Sequence, residues 1–173
     1  MKTKLRSIRY VLRKLPALYE IPVKQRGKAA ELLVEYQLLK YATDIKRMPR
    51  GIPFVGDRVV FVKSEGKTME VPVEIKSITI KNPRSSIDIA QKFLSIFKGI
   101  YIVLIQSKEH HDRFDFLVFM NDEMHREISK AGFLKKHDKR STRKRWRLII
   151  PRNLKDFKNY VDRWDKILDF NGH

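Results

Sequence analysis

The sequence predicts one α/β domain built on a mixed β-sheet flanked by helices. Three observations predict it. Hydrophobic periodicity runs helix, three strands, helix, strand between about residues 27 and 105, the chain's 173 residues are one domain's length, and no repeat or Pro/Gly/Ser linker divides it. Hydrophobic residues make up 42%, which separates the chain from disordered basic tails.

Taken in order, "MKTKLRSIRYVLRKLP" sets Leu5, Ile8, Leu12 and Leu15 at helical spacing among Lys and Arg, and Pro16 stops it. An Arg-rich, acid-free start has the character of a transit peptide or a membrane-surface helix. The reading preferred here is a basic helix docked by its Leu/Ile stripe. "GKAAELLVEYQLLKYA" is rich in helix formers and apolar over much of its circumference, so most of it should be buried. Glu31 and Glu35 lie one turn apart on it, and buried carboxylates need partners.

The pattern then turns to strands. "DIKRMP" is a weak candidate, while "DRVVFVK" and "TMEVPVEIKS" are strong and joined by "SEGK", whose Gly66 signals a hairpin. Pro72 inside the second strand removes a ladder hydrogen bond, which marks a strand start or a bulge. "SSIDIAQKFLSIFKG" reads as a helix from a Ser85 cap to Gly99. "IYIVLI" is a strand buried on both faces, and "FDFLVFM" is another. A short helix at "DEMHREIS", a basic loop over 135–147 and the strand "RWRLIIP" follow. A last helix over about 153–169 sets Leu154, Phe157, Val161, Trp164 and Leu168 along one face; core packing is its default, and it would permit a homodimer contact.

Lys and Arg number 38 against 20 Asp and Glu, a net charge of +18. That excess attracts polyanions, nucleic acid first and an anionic membrane surface second. Cysteine is absent, which excludes disulfides and thiolate metal sites and suits an intracellular, cytoplasmic protein. The longest apolar run, residues 100–105, is too short to span a bilayer.

The stretch "VPVEIKSITI" carries the chemistry. Val71, Val73 and Ile75 form one face, and Glu74 and Lys76 share the other. A solvated ion pair is the plain reading. A third group changes it: in an antiparallel hairpin, Asp57 of "VGDRVVF" lies near the start of one strand and Glu74 near the end of the other. Glu31 could add a further carboxylate from the preceding helix. Such a set suits phosphodiester hydrolysis, with a hard divalent ion on carboxylate oxygens and a lysine beside the attacking water.

"GD" at 56–57 followed by "EIK" at 74–76 resembles the PD-(D/E)XK nuclease superfamily, whose core order is helix, three strands, helix, strand. "GKAAE" is similar to the Gly-x-x-x-Glu of archaeal Holliday-junction resolvases and related enzymes, and Ser77 after Lys76 is similar to their E-x-K-S ending. The resemblance implies a restriction-endonuclease-like αβββαβ fold with helical additions at both ends. It also implies Mg²⁺ or Mn²⁺ held by Asp57, Glu74 and Glu31, with Lys76 assisting the nucleophilic water and DNA favoured over RNA as substrate. Resolvases act as dimers. Gly56 stands where the namesake motif has proline. Gln91 matches the glutamine of several exonuclease branches, but Ser95 stands where their Q-x-x-x-Y form has tyrosine. The resemblance covers roughly the middle 80 residues.

Lys135, Lys136, Lys139, Arg140, Arg143, Lys144, Arg145 and Arg147 make the 135–147 segment a candidate phosphate-contacting arm, where the plain reading is a solvated loop. Trp146 among them is expected to pack in the strand that follows rather than stack on a base. His110, His111 and Asp112 read as loop residues, because no spaced His or Cys completes a zinc set. The expectation is a metal-dependent nuclease, structure-selective or single-strand-specific. The rivals are a non-catalytic nucleic-acid-binding protein and, more distantly, a membrane-surface protein.

Overall fold

The computed structural model describes residues 20–49, 56–80, 84–107, 114–130, 145–151 and 154–170. The N-terminal basic helix, the His110–Asp112 stretch and the basic positions from Lys135 to Lys144 lie outside the described residues.

Helix α1 (Val23–Leu38) leads into β1 (Asp44–Arg47), β2 (Arg58–Ser64) and β3 (Lys67–Ile80). Then come β4 (Arg84–Ala90), α2 (Gln91–Ile96), β5 (Ile100–Ser107), β6 (Phe114–Met120), α3 (Asn121–Lys130) and β7 (Arg145–Pro151). A 3-10 turn (Lys155–Phe157) and a one-turn helix α4 (Asp165–Leu168) close the described chain. Five strands form a mixed sheet in the order β1-β2-β3-β5-β6, and β4 with β7 forms a separate two-stranded ribbon. Strands β1 to β3 are an antiparallel meander, β5 runs parallel to β3, and β6 returns antiparallel to β5. The order helix, three strands, helix, strand is the one the restriction-endonuclease-like resemblance implies, with β4 inserted before α2.

The β2–β3 hairpin pairs Ser64 with Lys67 across Glu65 and Gly66, both at positive φ, the two-residue turn that matches strand twist. Pro72 marks neither a strand start nor a bulge: it pairs with Val59 inside an unbroken β2–β3 register, one residue before the parallel ladder to β5 opens at Val73↔Ile100.

The sheet separates two apolar layers. Ala30, Val34 and Leu38 of α1 pack with Val60, Val73, Ile75, Ile100, Ile102 and Leu104 on one side. Tyr101, Val103 and Ile105 pack with Leu94 of α2, Met124 and Ile128 of α3 and the β4–β7 ribbon on the other. Strand β5 is therefore buried on both faces, as its unbroken apolar run predicts.

Other expectations are corrected. Helix α1 is not mostly buried: among its described side chains only Ala30, Val34 and Leu38 are fully covered, and Leu32 is exposed. Residues 84–90 form a strand, and only Gln91–Ile96 is helical, so Ser85 caps nothing. Ile87 and Ile89 alternate inward, and pairing with β7 overrides the local helix signal. The long C-terminal helix is also absent. Leu154 and Asp162 adopt positive φ, and Val161 bridges to Leu117 of β6. The Val118 N–H donates to the Tyr160 carbonyl and the Asp162 N–H to that of Phe116, each at 2.8 Å. The segment thus covers the β6 edge, which would otherwise expose unpaired backbone groups. Phe157 joins one apolar layer and Trp164 the other, while Leu168 of the same stripe stays exposed.

Candidate active site

The β2–β3 register pairs Arg58 with Val73, which makes Asp57 and Glu74 the next pair outward. Backbone bonds clip that pair in place. The Asp57 N–H donates to the Val73 carbonyl at 2.8 Å, and the Ile75 N–H donates to Asp57 Oδ2 at 2.8 Å. Asp57 is held by both chain neighbours of Glu74. Gly56 makes the approach possible: its φ is +77°, and a Cβ there would lie 2.6 Å from the Val73 carbonyl oxygen. Proline, fixed near a φ of about −65°, cannot adopt this backbone. Glycine in place of the motif's proline is a local geometric requirement.

Glu74 is 8% exposed, and Lys76 Nζ donates to its Oε1. Burial pushes the Glu74 pKa upward; the Lys76 ammonium opposes this, and the negative charges of Asp57 and Glu31 reinforce it, leaving the carboxyl above its usual range. Beside Glu74 on β5 stands Tyr101, whose buried hydroxyl has no hydrogen-bond partner among the described residues. Burial and the Glu74 charge both push its pKa up, so it stays protonated.

Glu31 and Glu35 are gathered by Arg58. Its Nη2 donates to Glu31 Oε2 at 2.7 Å, its Nη1 to the Asp57 carbonyl at 2.7 Å, and its Nε to Glu35 Oε1. Arg47 adds two bonds of 3.0 Å to Glu35. Burial raises the Glu35 pKa, but the bonds from Arg47 and Arg58 outweigh it and hold the carboxyl below its usual range. Glu35 is therefore a counter-ion, and Glu31 is the glutamate whose charge reaches Glu74. Sequence patterns passed over Arg58. The available signal was an arginine sharing the inward face of β2 with Val60 and Val62, since an inward charge demands counter-ions.

Among the described residues, no group of three His, Cys, Asp or Glu is arranged to hold a metal ion as it stands. The donor chemistry nevertheless fits Mg²⁺ or Mn²⁺. Each of Asp57, Glu74 and Glu31 has one oxygen engaged, by Ile75, Lys76 and Arg58 respectively. The second oxygen of each has no hydrogen-bond partner among the described residues, and hard carboxylate oxygen is the ligand these ions prefer.

Gln91 opens α2, and Ser95 donates its hydroxyl to the Lys92 carbonyl. Arg147 is paired with Asp88 across the β4–β7 ribbon at 2.8 Å, Arg145 is exposed, and Trp146 packs against the apolar layer as expected.

No family model matches the chain, and no curated protein matches it. Among solved structures, the bacterial homing endonuclease I-Ssp6803I is similar at a TM-score of 0.47 and 20% identity, over 86% of this chain and 92% of that one. Archaeoglobus fulgidus Hjc, a Holliday junction resolvase from an archaeal hyperthermophile, is similar at a TM-score of 0.41 and 12% identity, over 75% and 86%. These scores are too low for either likeness to bear on what the chain does. No helix among the described residues is long and apolar enough to cross a membrane.

Proposed function

We propose that the chain is a metal-dependent nuclease that hydrolyses phosphodiester bonds, with DNA favoured over RNA. The observation that carries this reading is the clip setting Asp57 opposite Glu74, with Lys76 bonded to Glu74. Asp57, Glu74 and Glu31 would hold Mg²⁺ or Mn²⁺. A divalent ion bound there supplies an acidified water and neutralises charge on the phosphate. Lys76 orients the attacking water and stabilises the negative charge that develops as the new P–O bond forms and the ester P–O bond breaks. The net charge of +18 draws the polyanion to the surface. Arg145 and the basic positions before it contact phosphate; Arg147 contributes less, because Asp88 already neutralises it.

One observation favours the rival, a non-catalytic nucleic-acid-binding protein: Arg58 neutralises Glu31 without any added ion. A single experiment separates the two. Labelled single-stranded DNA, duplex, four-way junction and single-stranded RNA are incubated with the protein in Mg²⁺, Mn²⁺ or EDTA, beside Glu74→Ala and Lys76→Ala. The expected outcome is metal-dependent cleavage that falls about 100-fold or more in either variant. The preferred substrate then separates a structure-selective endonuclease from a single-strand exonuclease. Salt-sensitive binding with no cleavage in any metal overturns the nuclease reading.

A further inference from the structure

Arg58 bonds the Glu31 and Glu35 carboxylates and the Asp57 backbone carbonyl, and its bonds are unequal. Its side chain is 5% exposed, that of Glu35 is 17% and that of Glu31 is 33%. Glu35 is gripped by Arg58 and, through both oxygens, by Arg47. Glu31 is gripped by Arg58 Nη2 alone. A buried guanidinium must keep a counter-ion. If Glu31 turns away, Arg58 retains Glu35 and the Asp57 carbonyl, so its charge stays paired. If Glu35 were lost, only the half-exposed glutamate would remain. Glu31 is the partner Arg58 can release.

Its release has a reason. Glu31 reaches the same guanidinium that holds the Asp57 carbonyl, and Asp57 lies beside the buried Glu74, so the corner gathers like charges that a cation would answer. Arg58 supplies a cation already in place.

We propose that Glu31 exchanges between two cations: it rests on Arg58 when no divalent ion is present and turns to the ion when one binds beside Asp57 and Glu74. Arg58 is then a positioning residue that keeps the third ligand ordered and within reach of the site. The inference rests on the nuclease reading, since it requires an ion at Asp57 and Glu74.

The test is a double-mutant cycle on the full chain. Thermal unfolding is measured for the wild type, Glu31→Gln, Arg58→Lys and the double variant, in EDTA and in saturating Mn²⁺. In EDTA the two substitutions should be non-additive, because each breaks the same pair. In Mn²⁺ the non-additivity should vanish, because Glu31 has left Arg58. Non-additivity of equal size in both conditions, with Mn²⁺ bound, overturns the exchange and leaves the nuclease reading standing. A wild type that neither gains stability from Mn²⁺ nor registers it in a direct titration overturns both. Should Arg58→Lys fail to fold, Glu31→Gln alone decides by Mn²⁺ titration. Its affinity should fall by at least the roughly 10-fold that loss of even an outer partner costs, and an unchanged affinity overturns the exchange.

Discussion

Among the described residues, charge is buried in two places and answered differently. Between α3 and the C-terminal segment, Lys166 donates to the Val118 carbonyl at 3.1 Å and to Glu123 Oε2 at 2.5 Å. Its Nζ also lies 4.7 Å from the centre of the Tyr160 ring. Tyr160 donates to Glu127 Oε1 at 2.6 Å, and Lys130 to the same oxygen at 2.8 Å. Burial raises the Glu127 pKa, yet these two donors outweigh it and hold the carboxyl below its usual range. At the β2–β3 corner the balance reverses: Glu74 ends above its range, with Asp57 and Glu31 adding to burial and Lys76 opposing them. A network that holds a fold satisfies its own carboxylates. At the corner Glu74 stays above its range despite Lys76, and on the proposed reading a divalent ion would answer that imbalance.

Three substitutions break or sharpen that contrast. The largest effect is expected for Glu74→Gln, which should cut cleavage about 100-fold or more while raising the unfolding midpoint at neutral pH. The sign follows from its raised folded-state pKa: its contribution to stability is fully present below the unfolded value and lost as pH rises through the folded one. A neutral glutamine escapes that loss, and a lowered midpoint at neutral pH would show that Glu74 is structural. Gly56→Ala should come next, costing about 1–3 kcal/mol in chemical denaturation from positive φ, with further loss from the Val73 contact. Cleavage should fall with it, because Asp57 is displaced; full activity in a destabilised variant would detach Asp57 from the chemistry.

The smallest effect is expected for Glu127→Gln, about 1 kcal/mol with cleavage unchanged. Its depressed pKa contributes stability that is present above the unfolded value and lost as pH falls through the folded one. Urea midpoints followed from neutral pH to about pH 3 should therefore decline less steeply in the variant than in the wild type. An equal decline would mean that Glu127 carries no such linkage.

Much of the candidate site's geometry was legible in the sequence. Period-2 alternation puts Glu74 and Lys76 on one face of β3, and hairpin geometry brings Asp57 to Glu74; both follow from the few residues between them. Helix α1, the β2–β3 hairpin and the doubly buried β5 were equally plain, because each carries its own local pattern, while β1 in "DIKRMP" was a weak candidate. Residues 84–90 were not. Their helix-like composition yields to a partner strand, and the Asp88–Arg147 pair that spans the ribbon joins residues 59 apart. The C-terminal stripe at helical spacing was likewise misleading, since its residues divide between two layers around the β6 edge.

The sequence by itself determined the order of elements, the face on which each strand carries charge, and the hairpin that sets Asp57 against Glu74. All of these are short-range consequences of side-chain period and turn chemistry. Only the tertiary structure decided that Arg58 gathers Glu31 and Glu35, that Gly56 must lack a Cβ, and that β4 is a strand. Those outcomes depend on which distant groups arrive at the same place, and local periodicity carries no record of them.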